Sequence, residues 1–519
     1  MSEFLAQENI VPRPYRSDHQ NISPWLDEQI WGHRIWDSQT PWLLFLEFLT
    51  VAEGCLRENK LFDEKGVYYP LQFRPYRRLY LRNILFNNES IFRIDKTYSD
   101  SRRAWKEWFE QIEKAARGVP NRDFIYLQDR FPAFHDFAAL IATLRNTAVE
   151  SNTNRRWSSR FIFPFGSYAL YEDLNLKSGR PSREYINFGR TGELLYLMLC
   201  RSRCNEDLRS PIEDALKGKN RLNNLIRLLQ PNEKEDLQLK GHSYLPYIRH
   251  PSFDLLGEDW NSIFNMGLPA FDAFQHLVLL GAFHMMLYQL WTAVWFCSYG
   301  EKVRFVCEAI APKKTLVREL SIINYQENNV LTASAVENYV SKITQSDSWN
   351  LAIEESDSET DAFTRCKGIL RDEVWWSDDY DGPSNVDFLI AELKNIVLKG
   401  HRQHAGNVHR VYGRLVGLVS KRGTNRLRYA PNDALLKSLI IANVSNRMEL
   451  RNFLAKLFQK YGLIFGQQEA EEALPSESFD QKAFQANTQR LERRLSSMGM
   501  LHRLSDACAY VINPLAREK

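Results

Sequence analysis

The sequence predicts a mainly α, multi-domain protein, because its length, its composition and the spacing of its apolar residues all point that way. A chain of 519 residues has room for roughly two to four domains. Its 44% apolar residues, with 13% aromatic residues among them, can bury a substantial core. Apolar side chains recur every three or four positions, as at Trp105, Phe109 and Ile112, which is the spacing of a helix that buries one face.

We expect three parts along the chain. Residues 1–270 are predicted to form an aromatic-rich helical domain, and residues 271–428 a central helical region with an acidic and then a basic segment. Residues 429–519 are predicted to form a separate small domain. The sequence shows no internal repeat and no low-complexity tract, so a solenoid is not expected.

The overall charge shows that the protein is not strongly basic. Lys plus Arg (67) nearly balance Asp plus Glu (64), which gives a formal charge of +3, so any surface for nucleic acid must be local. The seven cysteines are scattered, and the first residues lack a basic-then-apolar signal segment, so we expect a reducing, cytoplasmic location. Cys200 and Cys204 lie four positions apart, and we expect ordinary thiols there rather than half of a metal site.

One segment, residues 276–297, is long and apolar enough to span a bilayer. It has no formal charge, but it contains His276, His284 and Gln289. These side chains are costly in lipid and are easily hydrogen-bonded within a helical core. We therefore expect a buried helix and no membrane association.

The strongest charge asymmetry lies just after an acidic stretch at residues 354–381. Between Leu393 and Asn432 the sequence has no carboxylate, whereas nine lysine and arginine side chains occur there. Helical charge runs usually mix signs, so we predict a surface that follows phosphates, with a solvated face as the alternative. The predicted nucleic-acid contacts in this stretch are Arg402, Arg410, Arg414, Lys421, Arg422, Arg426 and Arg428.

The C-terminal part contains three helical segments and a hairpin. Asn432 is suited to cap the first helix, and the second helical segment ends at Gly462. In the third segment Phe484, Leu491 and Leu495 fall on one stripe. Two short β-prone segments, MLHRL and ACAYVINP, follow with a Ser-Asp turn between them.

This order resembles the winged helix, a helix-turn-helix variant, over residues 429–513. In that family the third helix usually enters the major groove of DNA. The resemblance implies groove contacts on the third helix and one in the wing, at Asn487, Arg490, Arg493, Arg494 and Arg503. Five carboxylates between residues 469 and 480 could repel a phosphate backbone, and many winged helices dock on proteins, so both roles stay open.

No sequence motif for catalysis, metal binding or nucleotide phosphates occurs, so we expect no catalytic residue, no metal site and no cofactor. One weak pattern is Asp387 with Glu392 and Lys394, which superficially resembles the acid and Glu-x-Lys elements of restriction-type nucleases. In those enzymes the two elements usually lie on successive strands. Here the segment is predicted to be one helix.

A second weak pattern concerns the histidines of the basic segment. Arg402 with His409 loosely resembles a motif of helical ribonucleases, in which an arginine and a histidine lie a few residues apart. The simpler interpretation is that His401, His404 and His409 extend the cationic surface.

The leading hypothesis is a non-enzymatic subunit of a nucleoprotein complex that binds DNA, with duplex favoured, through the basic segment and the winged helix. A protein-interaction scaffold of a multi-protein assembly is the competing class, and a helical ribonuclease is the third. Other protein subunits are expected partners. In overall organisation the chain also resembles accessory proteins of prokaryotic anti-phage defence systems.

Overall fold

A computed structural model of the chain describes most of its residues. The described ranges are 5–12, 26–33, 35–63, 70–119, 121–145, 158–161, 170–175, 182–183, 190–217, 221–232, 237–297, 302–376, 380–422, 425–505 and 508–516. They form 21 α-helices and 12 short strands, so the prediction of a mainly α, multi-domain protein is confirmed.

Ten helices and five strands belong to the N-terminal part up to residue 243. The helices are α1 (Leu26–Trp31), α2 (Pro41–Arg57), α3 (Leu79–Phe86), α4 (Ile91–Thr97), α5 (Ser101–Ala115), α6 (Tyr126–Arg130), α7 (Phe134–Arg145), α8 (Thr191–Cys200), α9 (Asn205–Lys217) and α10 (Arg221–Leu228). The strands are β1 (Leu71–Phe73), β2 (Ser158–Phe161), β3 (Leu170–Asn175), β4 (Ser182–Arg183) and β5 (Lys240–Ser243). Strands β1 and β5 pair antiparallel, and β2, β3 and β4 form a second antiparallel sheet.

The central part contributes long helices and little sheet. The helices of this part, together with α11 at the end of the N-terminal range, are α11 (Pro251–Asn265), α12 (Ala270–Cys297), α13 (Leu316–Thr344), α14 (Asp347–Glu354), α15 (Glu359–Val374), α16 (Val386–Gln403) and α17 (Val408–Leu415). The strands are β6 (Phe305–Val306), β7 (Val419–Ser420) and β8 (Arg428–Tyr429). Strands β7 and β8 form an antiparallel hairpin.

Helix α12 lies at the centre of the main core, as expected from its composition. It is apolar on all sides and packs against α2, α11, α13 and α17. Three of its polar side chains have partners: His276 Nδ1 lies 2.8 Å from the Ser438 hydroxyl, His284 Nε2 lies 2.7 Å from the Asp259 carboxylate, and Gln289 donates to a backbone carbonyl at 2.7 Å. These hydrogen bonds offset part of the cost of burying the polar side chains, although His284 Nδ1, Gln289 Oε1 and Trp291 Nε1 have no partner among the described residues.

Within the part of the chain that the structure describes, one helix is long and apolar enough to cross a membrane by length and composition. It is this same helix, over 272–297, and 94% of the relevant window is buried inside the protein.

A second apolar core lies apart from the main one. It is built by α3 to α7 together with α10, and Trp105 and Trp108 pack edge-to-face at its centre with ring centroids 5.5 Å apart. The three-residue and four-residue spacing noted at Trp105 and Ile112 places both side chains in this core.

The C-terminal part alternates helices with short strands. Its elements in chain order are α18 (Asp433–Asn443), β9 (Arg447–Glu449), α19 (Leu450–Tyr461), β10 (Leu463–Ile464), α20 (Gln467–Ala473), α21 (Gln481–Ser497), β11 (Leu501–Ser505) and β12 (Cys508–Ile512). The Asn432 side chain accepts from the amide of Leu435 at 2.8 Å and caps α18, and Gly462, with a φ of +75°, ends α19. Both boundaries are those that the sequence predicts.

The C-terminal strands form a small antiparallel sheet in the order β11, β12, β9. The predicted hairpin is therefore present, while the turn residue Asp506 lies outside the described residues. Three elements were not predicted: β9, which pairs with β12, α20, which lies in the acidic linker, and β10. Strand β10 pairs in parallel with β6 of the central part.

The main core draws on all three predicted ranges. Leu43, Leu287 and Val511 belong to the same cluster of buried apolar side chains. The boundaries at 270 and 428 stay a prediction, but the three parts pack together through shared apolar contacts.

Candidate nucleic-acid interface

Helix α21, the third long helix of the C-terminal part, forms where the sequence predicts it. The carboxylate of Asp480 accepts a hydrogen bond from the amide of Ala483 at 2.7 Å and caps the first turn. Phe484, Leu491 and Leu495 are buried along one stripe. This stripe fixes which side chains of α21 lie on its flanks and which face outward.

The expectation that Asn487 lies on the outer surface of α21 is wrong. Its side chain is fully buried. The amide nitrogen donates to the carbonyls of Cys307 (3.0 Å) and Phe465 (2.9 Å), and the amide oxygen accepts from the backbone N–H of Ala309 (2.8 Å). Asn487 therefore joins α21 to the segment that follows β6, and it is not accessible to DNA.

Arg490 and Arg494 lie on the same flank of α21, where they contact neighbouring backbone. Nε of Arg490 donates to the carbonyl of Ala309 at 3.3 Å, and partial burial lowers the pKa of this guanidinium. Arg494 donates to the carbonyl of Pro431 at 2.8 Å and to the carboxylate of Asp433 at 2.6 Å. Both arginines are half-buried and border the chain entering α18.

Arg493 and Arg503 are exposed, as the prediction requires. Arg493 lies on the outward face of α21 beside the exposed Gln489. Arg503 lies on β11, where its Nε donates to the carbonyl of Ser505 at 3.3 Å and lies 3.6 Å from the Glu492 carboxylate. Their contact with DNA stays a prediction.

The carboxylates that precede α21 differ in their exposure and in their structural role. Asp480 is used as the helix cap, and Glu469 is 4% exposed. Glu471 and Glu472 are exposed on α20, which packs beside α21. Repulsion of a phosphate backbone is thus strongest on the flank of α21 that faces α20, away from Arg490 and Arg494.

The basic segment contributes an exposed hairpin. Val419 pairs with Tyr429 across β7 and β8, and the chain between the two strands carries Lys421, Arg422 and Arg426, all of them exposed. The hairpin leads directly into Pro431, whose carbonyl Arg494 binds. The structure therefore brings the predicted basic segment next to α21.

The prediction that Arg428 contacts nucleic acid is contradicted by its burial. Its side chain is completely buried and forms an ion pair with Glu308, which also accepts from Nε of Arg318 at 2.9 Å. Nη2 of Arg428 donates to the carbonyl of Arg422 at 2.7 Å. Arg428 therefore holds the hairpin onto the protein.

The remaining predicted cations are exposed on helices α16 and α17. Arg402 lies near the end of α16, and Arg410 and Arg414 lie on α17. The positive charges of Arg410 and Arg414 are close enough to the Tyr325 hydroxyl to act to lower its pKa. Burial raises the pKa of that hydroxyl to about 12 in spite of these two positive charges. Tyr325 also stacks on the ring of His409, so α17 borders the region of the hairpin.

Two further cations were missed by the sequence analysis. Lys313 and Lys314 are exposed in the loop between β6 and α13, which also carries Ala309, the partner of Asn487 and Arg490. Lys314 forms an ion pair with Glu319. The Pro-Lys-Lys run was visible in the sequence, but its proximity to α21 depends on contacts between residues about 180 positions apart, such as Ala309 with Asn487.

Three neighbouring segments carry these cations, and together we call the cations the cationic face. Direct hydrogen bonds link its three parts: Arg428 binds Glu308 and the carbonyl of Arg422, and Arg490 binds the carbonyl of Ala309. The exposed or half-buried members of the cationic face are Lys313, Lys314, Lys421, Arg422, Arg426, Arg490 and Arg494. Such a group of cations can bind successive phosphates of a nucleic acid.

The nuclease patterns do not form sites. Asp387, Glu392 and Lys394 lie on the single helix α16, as expected, and not on successive strands. His409 is buried, its Nε2 lies 3.0 Å from the Tyr429 hydroxyl, and burial lowers its pKa to about 3. A histidine in that state does not serve as a general acid or base near neutral pH.

The expectation that the histidines of the basic segment extend the cationic surface is also wrong for two of the three. His409 is buried, and so is His401, whose ring nitrogens lie 2.6 Å from the Asp27 carboxylate and 3.0 Å from the Thr332 hydroxyl. His404 is half-buried and stacks on Trp36 with ring centroids 3.8 Å apart. Among the described residues, no group of three or more His, Cys, Asp or Glu side chains is placed to hold a metal ion.

Comparison with known families gives a match in the C-terminal part. A family model described as methylation-associated defense system protein MAD7 matches residues 411–514. This range covers the β7–β8 hairpin and every element from α18 to β12, about a fifth of the chain. The likeness suggests a role in anti-phage defence. Comparisons with curated proteins and with solved structures found no match.

Proposed function

We propose that the chain is a DNA-binding subunit of a multi-protein anti-phage defence assembly, and that the cationic face binds the backbone of duplex DNA. The observation that carries the proposal is the convergence of cations from three distant parts of the sequence. Two carboxylates at its border, Glu319 and Asp433, are each paired with a member of the face, so the surface keeps a positive excess. Such an excess attracts phosphates through counterion release.

The proposal includes a winged helix over residues 433–512. The order of α18, β9, α19, α21, β11 and β12 is that of the family, and the sheet order β11, β12, β9 supports the assignment. Helix α20 and the parallel pairing of β10 with β6 are additions to that plan. In this arrangement Arg493 and Gln489 are the outward side chains of α21 that would approach a groove.

The assembly part of the proposal comes from the family likeness. The matching family is described as a defense system protein, and we infer from this description that the chain acts together with other proteins. The matched residues include the exposed hairpin cations and α21, which are the groups that we assign to DNA. The rest of the chain would then present surfaces to other subunits.

Equilibrium binding to a short fluorescent duplex tests the DNA part directly. The discriminating variant combines Lys421→Ala, Arg422→Ala and Arg426→Ala, because these three side chains are exposed on the β7–β8 hairpin. Arg494 is less suitable, since it also binds Pro431 and Asp433. We expect the triple variant to weaken duplex affinity by at least about tenfold at moderate salt.

A matched control removes three exposed cations elsewhere. Arg102, Arg103 and Lys106 are exposed on α5, which belongs to the second core, and their replacement by alanine should leave duplex affinity unchanged. The proposal fails if the parent protein does not bind duplex at low salt. It also fails if the α5 variant loses as much affinity as the hairpin variant.

A further inference from the structure

The flank of α21 opposite the cationic face borders a pocket of about 440 Å³. The pocket is open to solvent on one side and is formed by α21, α20, the start of α19 and the β11–β12 hairpin. Its lining is mostly polar and includes Gln467, Gln485, Thr488 and Gln489. The whole pocket lies within the range that matches the defence family.

The charges in the pocket leave one carboxylate in excess. Glu449 lies 3.1 Å from Arg451, and Glu492 lies 3.6 Å from Arg503. The third carboxylate, Glu469, is 4% exposed, and its Oε2 has no hydrogen-bond partner among the described residues. A buried carboxylate oxygen without a donor is costly, so this atom marks a place where a donor is expected.

The Oε2 atom of Glu469 occupies space that is open only because residue 466 is a glycine. A Cβ atom added to Gly466, which also lines the pocket, would lie 2.5 Å from this oxygen. Burial raises the pKa of Glu469, and the nearby charge of Glu472 adds to this shift, while the backbone N–H groups of Glu469 and Gly466 oppose it. A cationic donor in the pocket would satisfy the oxygen and compensate its charge.

We propose that this pocket binds an arginine side chain presented by a partner protein, with Glu469 as its principal acceptor. The guanidinium carries five N–H donors in a plane, and the pocket offers acceptors on several sides, namely Glu469, Thr488 and the glutamine amides. Gln485 donates to the side-chain oxygen of Gln467 at 2.9 Å, which leaves the oxygen of Gln485 available as an acceptor. A single positive charge matches the single excess carboxylate.

The partner is a protein and not DNA, because the pocket carries a negative excess that opposes phosphate. The cationic face and the pocket lie on opposite flanks of α21. The inference rests on the subunit part of the proposed function and is independent of its DNA part.

Ligand-observed NMR with three small probes tests the inference on the full chain. The probes are N-acetyl-argininamide, N-acetyl-lysinamide and N-acetyl-citrullinamide, the last being a neutral analogue of the first. We expect argininamide to bind with a dissociation constant of about 1 mM, a realistic value for a ligand of this size, and citrullinamide not to bind. Glu469→Gln should weaken argininamide binding by at least about tenfold, because it removes the charged acceptor.

Two further variants test whether argininamide binding depends on this pocket. Gly466→Ala should weaken argininamide binding as well, since the new Cβ displaces the Glu469 carboxylate. Glu471→Gln changes an exposed carboxylate that does not line the pocket and should leave the affinity unchanged. A urea denaturation curve equal to that of the parent protein shows that Glu469→Gln is folded.

Several outcomes would overturn the inference. These are the absence of saturable argininamide binding, equal binding of citrullinamide or lysinamide, and an unchanged affinity in Glu469→Gln. The hairpin variant that tests DNA binding should retain argininamide binding, so failure of the DNA proposal and failure of this inference give different results.

Discussion

At the scale of single residues, burial separates the groups that hold the fold from those that can bind a ligand. Asn487 and Arg428 both looked like nucleic-acid contacts in the sequence, and both are completely buried. Arg493 and Lys421 have similar chemistry and are exposed. The difference arises because the segment after β6 covers one flank of α21 and one side of the hairpin.

Asn487→Ala tests the structural role of this side chain. The substitution removes two donors and one acceptor that serve the buried backbone of residues 307, 309 and 465. We expect a loss of about 2 to 4 kcal/mol in the free energy of unfolding, measured by urea denaturation. Gln489→Ala, at an exposed position of the same helix, should change it by less than about 0.5 kcal/mol. Equal stability of the two variants would contradict the structural role.

His409 provides a prediction about pH. Its pKa falls from the usual 6.5 to about 3 in the folded protein because it is buried. In the unfolded chain this imidazole is protonated below about pH 6.5, whereas in the folded protein it is protonated only below about pH 3. The free energy of unfolding therefore falls as the pH drops from 6.5 to about 3. His409→Asn removes that contribution and should make the dependence of the unfolding free energy on pH shallower between pH 6.5 and about 4.

The control for this measurement is His502, which is exposed on β11. His502→Asn should leave the pH dependence as it is in the parent protein. An identical slope for His409→Asn and the parent would show that His409 does not stay neutral in the folded state.

At the scale of elements, one buried carboxylate joins three pieces of structure. Glu308, in the segment after β6, accepts hydrogen bonds from Arg318 of α13 and from Arg428 of β8. Both arginines are at least nine-tenths buried. The positions of the loop with Lys313 and of the β7–β8 hairpin therefore depend on this ion pair network.

Glu308→Gln tests that dependence. Removing the negative charge leaves two buried guanidinium groups without compensation, so we expect a loss of about 3 to 5 kcal/mol in the free energy of unfolding. Glu319→Gln breaks the exposed pair with Lys314 and should cost less than about 1 kcal/mol. Thermal and urea denaturation measure both, and a small effect of Glu308→Gln would contradict the assigned role.

The elements that the sequence predicted are those set by local signals. The cap at Asn432, the stop at Gly462 and the apolar stripe of α21 each depend on residues within one or two turns. Strand β9 is three residues long, and its pairing with β12 joins residues about 60 positions apart, so no local pattern reveals it. The parallel pairing of β10 with β6 is hidden for the same reason.

At the scale of the whole molecule, the candidate interface could be predicted only in part. The sequence between residues 393 and 432 has no carboxylate, and on this basis a cationic surface is predicted there. The hairpin cations of this stretch are indeed exposed. The sequence could not show that Lys313 and Lys314 join them, or that Arg428 is buried under them, because both facts depend on tertiary contacts with Glu308 and Ala309. The acidic pocket on the other flank of α21 was also not foreseen, since the linker carboxylates were treated as one repulsive group.

The salt dependence of duplex binding tests the central claim most directly. The logarithm of the binding constant should fall linearly with the logarithm of salt concentration, with a slope of about −0.9 for each phosphate contacted. Replacing Lys421, Arg422 and Arg426 by alanine should reduce the magnitude of this slope by about 2 to 3, and the α5 variant should leave it unchanged. Equal slopes for the parent protein and the hairpin variant, or no duplex binding at low salt, would contradict DNA binding by the cationic face.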